Sequence, residues 1–134
     1  MRYKLVTSIA AILSFLNGFL FLLAPVFSLS ILGRDTNPTG IMNTRYFGAC
    51  ALGLAVILWL ARDIRYPEVC RLVSYGMLTT LVLLVVIDLN GLITGAMNQL
   101  GWLLFLTDLL LSLGFILSIF TDGGRKNLPP IYGG

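Results

Sequence analysis

Between Leu5 and Ala24 the chain carries no charged side chain, and that run decides which solvent the chain can fold in. A helix of this length rises about 30 Å, the thickness of a bilayer's hydrocarbon core. Three comparable segments follow, at about 45–60, 70–89 and 100–120. Of 134 residues, 57% are hydrophobic and 11% charged, where a soluble domain has roughly a quarter charged; the mean hydropathy is +0.93. The expected fold class is therefore all-α, a transmembrane four-helix bundle. Four spans with short connections take up nearly the whole length, so 1–124 is expected to be one membrane domain and 125–134 a tail. The first run resembles a secretory signal in its basic start, but it exceeds the 7–15 apolar residues of such a signal and lacks a clean cleavage site.

Punctuation between the runs is readable. Pro25 marks a kink or an end to regular helix. Gly33 to Gly40 is a polar loop rich in turn residues, and Ala61 to Glu68 a short charged turn in which Pro67 and Glu68 suit the first turn of the next helix. Asn90-Gly91 and Gly95 punctuate an uncharged loop ending near Gln99, and Asp122-Gly123-Gly124 stops the last run.

Lys and Arg concentrate in cytoplasmic loops. Arg2, Lys4, Arg62, Arg65, Arg71, Arg125 and Lys126 fall on one side of the expected topology, and only Arg34 and Arg45 on the other. Both termini are thus expected in the cytoplasm. Tyr3, Trp59, Tyr66 and Tyr75 at inner ends, with Tyr46 and Trp102 at outer ends, fit the preference of these rings for the interfaces.

Much chemistry is excluded. There is no histidine, which removes the commonest metal ligand and general base together. Cys50 and Cys70 are expected near opposite membrane faces, too far apart for a disulfide, and read as small apolar side chains. No metal, no cofactor and no enzymatic activity is expected, since no nucleophile–base pair, phosphate loop or CxxC motif is present. The basic residues lack the density of a nucleic-acid surface; the expected partners are the lipid bilayer and larger membrane-protein subunits, with a homo-oligomer as a further arrangement.

Polar groups inside spans are the candidate functional residues, because each costs about 2.5–3.5 kcal/mol at a helix centre unless it has a partner or a purpose. Counting 1.5 Å per residue, Asp108 lies about 12 Å below the outer end of span four, Asn17 at nearly the same depth, and Asp88 about 6 Å below the outer surface, within reach of Arg45. The expected cluster has Arg45 pairing Asp88, shared with Asp108, and Asn17 donating its amide to Asp108. It reads either as structural glue or as a group handling protons, cations or a ligand.

Small and polar residues recur on possible interior faces: Thr7, Ala11, Ser14 and Gly18 in span one; Gly48, Ala49, Ala51, Gly53 and Ala55 in span two; Gly76, Thr80, Leu84 and Asp88 in span three; Gly101, Asp108 and Ser112 in span four. Pairs such as Ala49/Gly53 let helices approach closely and are expected to serve internal packing. In the tail, Pro129, Pro130 and Tyr132 are candidates for docking a partner.

The run Asn17-Gly18 through Ala24-Pro25, then Arg45-Tyr46-Phe47-Gly48 leading into Ala51-Leu52-Gly53-Leu54, resembles that of small bacterial four-span membrane proteins with no established activity. The resemblance implies a four-helix membrane fold in a bacterial inner membrane. The cysteine pairs of the quinone-reducing four-span type are missing. On these grounds the expected function is that of a non-catalytic accessory or scaffold subunit of a larger membrane complex, an energy-transducing one being a fitting setting; the alternative is a small transporter or ligand-binding protein using the Arg/Asp cluster.

Overall fold

In a computed structural model, which describes residues 2–34 and 36–122, the chain forms five helices: α1 (Arg2–Leu23), α2 (Pro25–Ile31), α3 (Pro38–Ala61), α4 (Pro67–Ile93) and α5 (Gly101–Asp122). All but the short α2 are long and apolar enough to cross a membrane. Only 22%, 22%, 22% and 17% of their most apolar windows is buried inside the protein. Leu5, Phe15, Leu60, Leu72, Val86, Leu103 and Phe120 are among many large apolar side chains left outside, an arrangement consistent with an integral membrane protein, because lipid removes the cost of such exposure.

Helix ends follow local chemistry rather than hydropathy alone. Pro25 has no N–H to donate to Phe21 and separates α1 from α2; at the break, the Ser28 hydroxyl donates to the carbonyls of Leu20 and Ala24 at 3.2 and 2.9 Å. The start of α3 lies well before Arg45, because Asn37 caps it, accepting from the Gly40 N–H at 2.7 Å, and Pro38 supplies the preset φ of a first helical residue. Residues 38–40, expected in a loop, are therefore helical. Asn90 and Gly91 likewise lie inside α4 and punctuate no loop; a side chain at Gly91 would sit 2.9 Å from the Met97 sulfur, so this glycine serves packing. Pro67 opens α4 with Glu68 in its first turn.

The long helices run alternately up and down. Tyr3 donates to the Ala61 carbonyl at 3.3 Å, Lys4 pairs with Asp63 at 2.6 Å, and Ser74 and Ser118 share a hydrogen bond at 3.3 Å. These contacts gather the start of α1, the 62–66 segment, the start of α4 and the end of α5 at one end, here called basal. The apical end holds α2 and the 94–100 segment.

Packing is uneven. α1 lies along α3, α4 along α5, and α1 also meets α5, whereas the consecutive helices α3 and α4 make little backbone contact. Ala10, Ala11, Leu58, Met77, Leu81 and Phe115 form the core, so all four long helices contribute to it. The closest approach is at Gly18 and Gly48: a Cβ at Gly48 would fall 2.6 Å from the Leu22 nitrogen, and one at Gly18 would fall 2.9 Å from the Gly48 carbonyl oxygen.

At the apical end α2 finishes in a Schellman turn. Gly33 takes φ +70°, its N–H bonds Ser30 at 3.1 Å, and that of Arg34 bonds Leu29 at 2.9 Å. Two carbonyls left over by this end are met from elsewhere: the Asn98 side chain donates to Ile31 at 2.6 Å and its backbone N–H to Leu32 at 3.0 Å. The 94–100 segment is thereby strapped to α2.

Candidate functional site

The structure brings Asp88 and Asp108 into one neighbourhood between α4 and α5. Leu92 packs at Gly101 and Ser74 bonds Ser118, an antiparallel register that sets the two carboxylates about one helical turn apart in depth. The charge of Asp88 reaches Asp108. Asp88 is buried at 7% exposure; Asp108 is half-buried, with its backbone carbonyl accepting from the Ser112 hydroxyl at 2.8 Å.

The expected Arg45–Asp88 pair does not form. Among the described residues the ion pairs are Lys4–Asp63 and Arg62–Asp63, both basal. Because α3 begins at Pro38, Arg45 sits about two turns into the helix and on an exposed face beside Tyr46 and Phe47. The cation whose field reaches Asp88 is Arg34, the residue that completes the Schellman turn and that the Asn98 strap holds at the apical end of α4.

Asn17 is half-buried and makes no hydrogen bond to Asp108. With Val6 of α1 against Gly114 of α5, equal rise along two antiparallel helices sets position 17 level with about residue 103, more than a turn from Asp108. Depth counted separately from each membrane face missed this offset.

The small-residue stripes divide. Thr7, Ala11 and Gly18 are buried and Ser14 half-buried. In α3, Gly48 and Ala55 face inward, but Ala49 and Gly53 are exposed, and a Cβ at Gly53 would meet nothing within 4 Å. In α4 the buried positions are Ser74, Met77, Leu81 and Asp88, while Gly76 and Thr80 face outward with open space at Gly76. A strict four-residue repeat drifts about 40° per step around a helix, so Gly76 stands about 120° from Asp88.

No side-chain atom that is fully buried lacks a hydrogen-bond partner among the described residues. Thr7 donates to the Tyr3 carbonyl at 2.7 Å and Thr80 to Gly76 at 3.1 Å, the usual way a helix absorbs a hydroxyl in lipid. Cys50 and Cys70 are not joined in a disulfide, and the Cys70 thiol donates to the Ile64 carbonyl at 3.3 Å. The tail candidates Pro129, Pro130 and Tyr132 lie outside the described residues. Chemically, the Asp88/Asp108 pair offers two carboxylates largely removed from water, which need a proton, a cation or hydrogen-bond donors to be accommodated. Sequence reasoning missed Arg34 and Asn98; the available signal was that Arg34 follows the turn glycine Gly33 and Asn98 lies three residues after Gly95.

No family model, curated protein or solved structure matches the chain. The functional reading is carried by geometry.

Proposed function

We propose that the chain is a four-helix membrane bundle with both termini in the cytoplasm of a bacterial cell, acting as a non-catalytic accessory or scaffold subunit of a larger inner-membrane complex. The observation that carries this reading is the outward flank of α3 and α4, where Ala49/Gly53 and Gly76/Thr80 present small residues to the exterior. Small residues four apart let a second helix approach closely, and in this chain such positions are left without an internal neighbour. The orientation is supported by charge: Arg2, Lys4, Arg62 and Arg65 gather at the basal end, the side favoured for the cytoplasm. An energy-transducing complex is one setting that fits.

The test is extraction from the source membrane in mild detergent, followed by native mass and subunit composition. Wild type should elute with larger chains, and Gly53→Leu with Gly76→Leu should release it while leaving its own helicity intact. Deleting residues 125–134 should also weaken the association. A lone monomer or a homo-oligomer in wild type would sink the accessory reading.

One observation favours a second reading, that of a small transporter or ligand-binding protein: Asp88 lies close enough for its charge to act on Asp108, and neither makes an ion pair among the described residues. On that reading Asp108→Asn abolishes activity in a reconstituted uptake assay while the tail deletion is harmless; an accessory subunit shows the reverse pattern.

A further inference from the structure

Along the lower half of the α1/α3 seam runs an open apolar groove of about 350 Å³. Its floor is Ala11 and Ala55, both buried, and its walls include Phe15, Leu16, Val56 and Trp59, each about half exposed. A helix 10–12 Å across docks where the rims are small, whereas here the rims are bulky and the floor small, a slot matched to a single hydrocarbon chain. At the basal mouth the chemistry changes. The Arg62 guanidinium stacks 3.3 Å over the Trp59 ring, its Nε donates to Asp63 at 3.3 Å, and Lys4 of α1 reaches the same carboxylate at 2.6 Å.

We propose that this groove holds an acyl chain of an anionic phospholipid whose phosphate is met by Arg62, with Lys4 beside it. The stack and the bond through Nε fix the guanidinium and leave its terminal N–H fork unspent, the geometry that grips phosphate in a bidentate manner. Asp63 offsets one of the two cations, and Arg2 and Arg65, exposed at the same end, keep the mouth positive. A zwitterionic headgroup brings no net charge to this mouth, so the site discriminates by headgroup charge while the groove supplies the apolar contact. The proposal is independent of whether the chain serves a complex.

The protein, reconstituted in nanodiscs, is released into detergent and its retained lipid counted by native mass spectrometry, with phosphatidylglycerol and phosphatidylcholine of identical chains in competition. Wild type should keep phosphatidylglycerol in preference. Arg62→Gln should reduce that preference about fivefold, the amount expected for one basic residue at a membrane surface, and Val56→Trp, a change at an exposed wall position, should lower retention of both lipids by filling the slot. Trp59→Leu, also on the exposed wall, serves as the headgroup variant should Arg62→Gln alter helicity or elution. Equal retention of the two lipids by wild type, or a preference unmoved by the headgroup variants, overturns the proposal. So does a groove protected by a co-purifying protein and insensitive to delipidation.

Discussion

The two flanks of α3 are built on opposite principles. Toward α1, glycine is used to remove volume: Gly18 and Gly48 bring two backbones so close that an added Cβ at either would strike main-chain atoms within 3 Å. On its outward face, Gly53 leaves space that nothing among the described residues fills, as does Gly76 on the outward face of α4. The same residue type is therefore a closed contact on one side of a helix and a vacant one on the other. In lipid there is no hydrophobic force to press helices together, so a seam closes only where shapes match, and a flank without a match stays open to lipid or to another protein.

The sharpest way to break this contrast is Gly48→Leu. With a Cβ forced to 2.6 Å from the Leu22 nitrogen, α1 and α3 must separate, and folded protein recovered in detergent should fall to near zero. Gly48→Ala carries the same Cβ clash without the larger side chain and should cost about 3 kcal/mol or more, the upper end of the range for overpacking, read as a drop in thermal midpoint. Gly53→Ala should instead be neutral or stabilising by up to about 1 kcal/mol, since alanine is the better helix former and nothing opposes its methyl. If Gly53→Ala and Gly48→Ala destabilise alike, the contrast between the flanks is wrong.

A third measurement asks how far the apical strap supports the closed seam. Asn98→Ala removes the donor to the Ile31 carbonyl, an exposed bond, and should cost about 0.5–1.5 kcal/mol, the net worth of one hydrogen bond whose acceptor water can reach; hydrogen exchange should rise in α2 before α1. The smallest effect is expected at the basal tether. Lys4, by its hydrogen bond, and then Arg62 hold the Asp63 carboxyl below the usual carboxylate range. A depressed folded value means the contribution is complete above the ordinary carboxylate pKa and disappears as pH falls through the folded one. Acidification should loosen the 62–66 segment slightly, seen as faster proteolysis there, and Lys4→Gln should reduce the pH dependence, leaving the part due to Arg62.

These expectations bear on how much the residues alone disclose. The four apolar runs disclosed four long helices, because hydropathy over about 20 positions averages away local detail. Their ends were another matter: Asn37 and Pro38 carried the start of α3 in plain cap chemistry, yet hydropathy pointed to Arg45. Arg45 thus lies about two turns inside α3 on an exposed face, and the cation whose charge reaches Asp88 is Arg34. Asp88 and Asp108 were legible as residues out of place in lipid, but their neighbours depend on register between helices, which no single helix encodes. The faces of α4 show the same limit, since a four-residue stripe read from Gly76 to Asp88 rotates off the interior before it ends.

The strap from Asn98 also sets a timetable for biogenesis. Helices α1 and α3 can pair once the first half of the chain has left the ribosome, but Ile31 waits for a donor 67 residues downstream. Until the last connection is synthesised, the apical end of α2 presents open carbonyls that an insertion factor or the interfacial water must serve. The apical end is thus tied as soon as the α4–α5 connection exists, one helix before α5 brings Phe115 to complete the core.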